Sequence, residues 1–507
     1  MTTTAVLTRR YLAEAARTPT NLLILVLVPV VFVIVAAKPM ADAAELLGGP
    51  GAPAVQTATA GWAAGFIAAN AMYFQIRGSR DADRRLVLAG LPTSRLVAAR
   101  MATGGVLALT ATAAALAALA ARTSITQPGR VIAGTLMFAA IYLAIGAVIG
   151  ALVRNPVNGT VLVLFVWILD VFFGPALGAT SRPATRILPT HYLTLWTIDL
   201  PSGHAGRPGD LGWALAWTFT SAATGIAVIT ATTRRARTRH ATRSGSARDQ
   251  TAAALRAALR EAGRNRVLWV LLVIVPVVFV LLAVATTPQQ NTTLTVREHG
   301  HTVLRQYWLP DVHGGTMAPI AIASLATLAG LFSVLGTRTA DQRLTLAGLH
   351  PLRLLTARLT VTALLALVAT AASLTVTATV FDAEQWPLYI AASALTALVY
   401  ALIGALIGPL FGRVGGVLIA FLIPFLDLGI EQSPMLHAQP PAWAHALPGY
   451  GPGRVIIDAG LTPTFDETGA LLTALAWLTA LTAAALLLLR RPAAHSPQPH
   501  PSSVPRR

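Results

Sequence analysis

Residues 78–101 read GSRDADRRLVLAGLPTSRLVAARM, and residues 336–359 read GTRTADQRLTLAGLHPLRLLTARL. The two segments lie 258 residues apart and agree at 14 of 24 positions. Each follows one long apolar run and precedes another. Charge alone would be enough to set topology, so the preserved order of Asp, Arg, Leu, Ala and Gly asks for more. It points to one membrane module duplicated and fused, with two equivalent places where a soluble partner docks.

Composition supports a membrane setting. Apolar residues make up 55% of the chain and charged residues only 11%, where soluble domains carry about 25% charged residues. Mean hydropathy is +0.64. A net charge of +18 would suggest nucleic acid in a soluble chain. Here the arginines sit in short loops beside apolar spans and read as topology signals. Lys38 is the only lysine; with heavy Ala and Thr usage, this suggests a GC-rich bacterial genome. The chain has no cysteine, which excludes disulfides, thiolate catalysis and Cys-based metal sites. Residues 22–37 are apolar but follow a charged, helix-like stretch, so they read as a first span and not a cleaved leader.

The expected fold is an all-α polytopic membrane protein of twelve transmembrane helices, arranged as two parallel six-helix repeats with interfacial and coupling helices. Spans are expected near 20–37, 57–77, 97–121, 131–153, 157–178 and 211–232, then near 266–286, 315–336, 354–380, 386–410, 413–430 and 468–490. The first repeat covers 1–232 and the second 249–490. An Arg-rich linker at 233–248 joins them, and 491–507 has the composition of a disordered tail. Arginines before the first span, between the second and third, between the fourth and fifth and after the sixth place both termini in the cytoplasm. Arg182, Arg186 and Arg207 run against that bias. Other echoes keep the order: VPVVFV at 28–33 and 275–280, Tyr142/Gly146/Gly150 and Tyr400/Gly404/Gly408, Asp170 and Asp427, Leu188-Pro189 and Leu447-Pro448, Asp199 and Asp458. Segments 5–18 and 249–264 read as interfacial helices.

The repeated segment is expected to dock a partner through Asp83, Arg85, Leu86, Leu88, Gly90, Pro92 and Arg95, and through Asp341, Arg343, Leu344, Leu346, Gly348, Pro351 and Arg353. Leu86, Ala89 and Gly90 would share one face of a short helix, which Pro92 and Pro351 then break.

With these residues in view, the chain resembles the membrane subunit of a type-2 ABC exporter, two permease domains fused in one chain. The resemblance covers about residues 5–490. In that family an interfacial helix precedes the first span, and a coupling helix with a leucine pair, a small residue and Pro-x-x-Arg lies between the second and third. Residues 91–95 (LPTSR) fit; in the second copy the proline comes one position later, in 350–353 (HPLR). The family's glutamate-rich entry to this helix is replaced by Asp81 and Asp83, and by Asp341 alone. The chain contains no GxxxxGK[ST]. The resemblance therefore implies a transport subunit that is not itself an enzyme, with no cofactor of its own. It further implies two copies of a separate cytoplasmic ABC ATPase carrying ATP and Mg.

The resemblance also implies that the second and fifth spans line the pathway. The candidates there are Phe66, Asn70, Tyr73, Phe165, Trp167 and Asp170, with Met317, Phe332, Phe421, Phe425 and Asp427 in the second half. Aromatic and Met-rich walls suit hydrophobic or amphipathic cargo. Asp170 and Asp427 sit near the outer ends of their spans. They would either serve a cation or a proton, or bond the loop that follows; the second reading is favoured. The GxxxG pairs permit close helix approach. Residues 298–301 (EHGH), with His313, suggest a metal, but flanking strand-like alternation favours a hairpin turn. The resulting expectation is a bacterial inner-membrane exporter of antibiotic- or drug-like compounds, handling membrane lipid and a small-molecule substrate and no nucleic acid. Lipid or glycan export by the same architecture is an alternative, as is a twelve-helix transporter driven by an ion gradient.

Overall fold

The computed structural model describes residues 3–17, 19–49, 51–177, 183–199, 203–234, 255–256, 259–260, 263–336, 351–437 and 439–489. The first half contains α1 (Thr3–Ala16), α2 (Pro19–Leu46), α3 (Ala52–Leu88), α4 (Thr93–Ala120), α5 (Pro128–Leu152), α6 (Pro156–Phe172), the short α7 (His191–Thr197) and α8 (Pro208–Arg234). The second contains α9 (Arg266–Thr286), a hairpin of β1 (Asn291–Glu298) and β2 (His301–Trp308), α10 (Leu309–Leu335), α11 (Pro351–Thr377), α12 (Trp386–Leu426), α13 (Tyr450–Leu461) and α14 (Thr468–Leu489). Proline stands in the first turn of α3, α5, α6, α10 and α12. There the missing N–H is not needed and the fixed φ suits a helix start.

Nine helices among the described residues are long and apolar enough to cross a membrane. The chain is a multi-pass membrane protein. Two further helices, the less apolar α3 and the shorter α6, pack within the same bundle. α12 is not one rod. Gly412 breaks it with φ 67 and ψ −160. The Tyr400 hydroxyl reaches the Asp427 carboxylate at 2.6 Å. A straight helix would hold residues 27 apart at about 40 Å, so the chain folds back at Gly412.

Packing repeats with the sequence. A Cβ at Gly146 would run into the carbonyl of Ala69, and one at Gly404 into that of Thr327. Both pairs of positions are 258 residues apart, so α5 crosses α3 as the first arm of α12 crosses α10. Between the halves, α2 and α3 pack on α12, while α6 packs on α9 and α10.

Two expectations need correction. The second expected span, 57–77, is the middle of a 37-residue helix that runs on through the arginine-rich segment to Leu88. No separate short helix follows it. Asp199 and Asp458, matched in sequence, do different work: Asp199 pairs with Arg130, whereas Asp458 accepts bonds from Thr462 Oγ1 and the Asp466 N–H. The linker from 235 onward, most of the second interfacial segment and the tail lie outside the described residues.

Candidate functional site

The arginine-rich turn is built from the end of α3. Arg and Leu supply five of the nine residues at 80–88 and favour helix despite the charge. The helix then closes on itself: Gly90 N–H bonds Val87 O at 3.0 Å and Leu91 N–H bonds Leu86 O at 3.0 Å. Gly90 has φ +95. This Schellman closure needs a left-handed residue, and Pro92 follows where no helix could continue. Gly90 therefore forms the turn and is not part of a helical docking face.

Asp83 is also corrected. It is 8% exposed and faces inward. Arg100 on α4 grips it with two bonds, Nη2 to Oδ1 at 2.6 Å and Nε to Oδ2 at 3.1 Å. Ser79 Oγ donates to the same carboxylate at 2.9 Å. The guanidinium lies 3.6 Å from the ring centroid of Tyr11 on α1. Burial pushes the Tyr11 hydroxyl above its ordinary pKa. A carboxylate held this way ties α1, α3 and α4 together and is not available to a partner.

The other residues of the turn face out. Arg85 is exposed, and its Nε donates to Asp81 O in its own helix at 3.2 Å. Leu86 is 38% exposed and Leu88 75%. Pro92 is exposed, and Arg95 Nη1 reaches Thr3 Oγ1 of α1 at 3.4 Å. In the second copy, Asp341, Arg343, Leu344, Leu346 and Gly348 lie outside the described residues, Pro351 opens α11, and Arg353 is exposed on it.

Two cavities lie between the halves. The larger, of about 230 Å³, is at the arginine-rich end. It is lined by the first residues of α6 and α9, by Leu325, Ala329 and Phe332 of α10, and by Arg77, Arg358 and Arg413. The smaller, of about 80 Å³, is lined by Met40, Phe172, Phe279, Met317, Phe421, Phe425 and Met435, among others. Along α6, α9 and α10 the lining passes from one cavity to the other without overlap, so they are stacked along the bundle. Aromatic rings from both halves fill the level between. Phe66 meets Trp167 at 5.2 Å and Phe421 at 4.7 Å, Trp167 meets Phe421 at 5.1 Å, and Phe421 meets Phe425 at 5.5 Å. Phe32 joins at 5.5 Å from Phe425 and 5.9 Å from Trp167.

The structure thus brings Phe66, Trp167, Phe421 and Phe425 together, puts Met317 in the smaller cavity and Phe332 in the larger. The remaining pathway candidates go elsewhere. Asn70 is buried, with Nδ2 bonded to Phe66 O of its own helix at 2.9 Å. Tyr73 is buried where a Cβ at Gly159 would strike its ring, and its hydroxyl donates to Asn155 O at 3.2 Å. Phe165 is half-buried against the core and lines neither cavity.

Asp170 and Asp427 are corrected as pathway residues. Asp170 accepts from Tyr142 Oη at 2.7 Å, from Thr190 Oγ1 at 2.7 Å and from Thr190 N–H at 3.2 Å. Asp427 accepts from Tyr400 Oη at 2.6 Å and from Gly449 N–H at 2.8 Å. Thr190 and Gly449 each stand two residues after the leucine of the Leu-Pro echo. Each carboxylate therefore clamps the returning loop to the preceding helix. Sequence reasoning missed Phe32 and the reciprocal amide pair Asn158–Asn265, bonded at 2.7 and 2.9 Å between α6 and the start of α9. The VPVVFV echo contains Phe32 and was the available signal; nothing comparable marks the amide pair.

His299 and Gly300, with φ 50 and 78, make the tight turn of the β hairpin. Arg305, bonded to Glu298, holds that carboxyl below its usual range. His313 is remote from this tip, bonded to Thr287 Oγ1 at 2.6 Å. Among the described residues no group of His, Asp or Glu could hold a metal.

With this geometry in place, residues 65–285 match the family model described as ABC-2 family transporter protein. Over these residues the chain is similar to ABC-2 family transporter proteins. The matched region opens inside α3 and closes at the end of α9, so it crosses from the first half of the chain into the first helix of the second. No curated protein matches the chain.

Proposed function

We propose that this permease is the membrane subunit of an ATP-driven exporter in the bacterial inner membrane, with both termini cytoplasmic, working with two copies of a separate cytoplasmic ATPase. The observation that carries this is the arginine-rich turn. Leu86 and Leu88 are apolar and exposed at the tip of a 37-residue helix, and Asp83, Arg100 and Tyr11 fix that tip to two further helices. A soluble subunit that gripped the tip would move α1, α3 and α4 as one body. The reading takes as spans the nine apolar helices, with the two arms of α12 counted separately, together with α3 and α6, twelve in all. These form two parallel six-helix repeats, and residues 337–350 supply the second docking point. ATP and Mg belong to the partner; this chain needs no cofactor.

The cargo is a hydrophobic or amphipathic small molecule, antibiotic- or drug-like, with lipid or glycan export as the variant reading. Support comes from the stacked cavities and the aromatic level between them. An ion-driven transporter would need a titratable group facing the path, and Asp170 and Asp427 face their clamps instead.

The test is co-purification of the full chain with ATPase subunits of its own genome. The wild type should capture one. A variant with Leu88→Asp and Arg85→Glu should lose it while keeping its helical circular dichroism. Capture that survives the double substitution moves docking elsewhere, and transport that runs on an ion gradient with no ATPase bound defeats the proposal.

A further inference from the structure

We propose that the cavity at the arginine-rich end binds the head of an anionic single-chain amphiphile, with its phosphate or carboxylate between Arg77 and Arg413 and its alkyl chain along α9 and α10. This narrows the cargo reading above to one sign of charge. Arg77 comes from α3 and Arg413 from the turn of α12, so each half of the permease contributes one cation to a single space. They are not repeat counterparts: at the 258-residue offset, Leu335 matches Arg77 and Asn155 matches Arg413. Arg77 is half-buried, with its Nε donating to Arg154 O at 3.0 Å, which leaves its charge uncompensated, and Arg413 is exposed. No carboxylate lines the cavity among the described residues. Arg358 also lines it but already has a partner, and adds nothing to the case.

Like charges facing one partly desolvated space repel, and an anion between them relieves both. The amides at the rim do not supply that anion. Asn155 Oδ1 caps the Val157 N–H at 2.9 Å, and Asn265 is paired with Asn158. Their positions add to the attraction, since Asn155 and Asn265 stand at the starts of α6 and α9, and Arg413 follows the break in α12. Three helix N-termini, each with a partial positive charge, therefore converge where the two guanidinium groups lie. Deeper in, the wall turns apolar through Leu271, Leu325 and Phe332 toward the aromatic level. A cation on top with hydrocarbon beneath fits an anionic head on an alkyl chain, and opposes the quaternary ammonium that an aromatic wall alone would admit.

The experiment uses the full chain in a neutral maltoside detergent, with adducts counted by native mass spectrometry. Dodecyl phosphate is the probe and dodecyltrimethylammonium the opposite-charge control. The phosphate should bind saturably and the ammonium should not. Arg413→Gln should weaken phosphate binding roughly tenfold, the loss of one charge-assisted contact, and Arg413→Lys less. Ala329→Leu fills the apolar part without touching charge and should also weaken it. Equal binding of the ammonium, or wild-type phosphate affinity in both Arg413→Gln and Ala329→Leu, overturns the proposal. Competition by phosphatidylglycerol assigns the site to membrane lipid, and indifference to it assigns the site to cargo; each supports the site and names its source. No ATPase is present, so a failure of ATPase capture leaves this test standing.

Discussion

The joint between Asp83, Arg100 and Tyr11 yields the sharpest prediction. Both charged residues are nearly buried, 7% exposed for Arg100 and 8% for Asp83, and two parallel bonds join them. Removing one partner leaves the other charge buried and unpaired, a loss of about 3–5 kcal/mol. Asp83→Ala should fall in that range, and loss of the pair costs Arg100→Ala as much. Arg100→Ala also loses the contact with the Tyr11 ring, about 0.5–2 kcal/mol more. The double variant removes both charges, so it should be no worse than Arg100→Ala alone, giving a coupling energy of about 3 kcal/mol. Arg100→Lys keeps the charge but loses the planar fork and should cost about 1–2 kcal/mol. The assay is unfolding of the full chain in mixed micelles by reversible SDS titration, followed by helical circular dichroism. Additive single losses, or losses under about 1 kcal/mol each, would refute the reasoning. The pair would then be solvated, and some other contact would hold α1 to α3 and α4.

The close helix crossings should respond to one methyl group. Gly146→Ala and Gly404→Ala each drive a Cβ into a backbone carbonyl and should destabilise by about 1–3 kcal/mol. Gly105→Ala, with nothing within 4 Å of the added carbon, should be neutral or stabilising by up to about 1 kcal/mol; the same titration separates them. At the loop clamp, Asp170→Asn turns an amide donor toward the donors Tyr142 and Thr190, a loss of about 1–3 kcal/mol. Thr190→Val removes one bond and should lose less. Amide exchange across His191–Thr197 should accelerate in the same order, and equal protection in all three proteins would show that the carboxylate does not hold the loop.

Hydropathy made the apolar helices legible, and the 258-residue offset shared by the arginine-rich segment and the Tyr/Gly echo made the sequence repeat legible. What hydropathy hid was the length of α3. Residues 78–88 are polar enough to read as a loop, yet Arg, Ala and Leu are strong helix formers, and charge ends an apolar run without ending a helix. Asp83 looked like a surface contact because its partner is 17 residues away on the next helix, and only the fold turns Arg100 toward it. The clamps were half legible: the echo of Asp170 and Asp427 was visible, as was the Leu-Pro echo, but nothing linear joined them. The aromatic level was legible as composition in α3 and α6. Its closure by Phe32, and the amide pair at Asn158, depend on how the halves face each other, which no single segment encodes.

The two halves change direction differently between their fourth and fifth helices. In the first, residues 153–155 separate α5 from α6, and Asn155 caps the new helix. In the second, Gly412 alone makes the reversal. Three residues offer six backbone torsions and one residue offers two. The first pair of helices has more torsions through which to tilt than the second, although both are pinned further along by the same contact, Tyr142 with Asp170 and Tyr400 with Asp427. The two turns therefore leave the chain unequal freedom at the arginine-rich end, six torsions in one and two in the other.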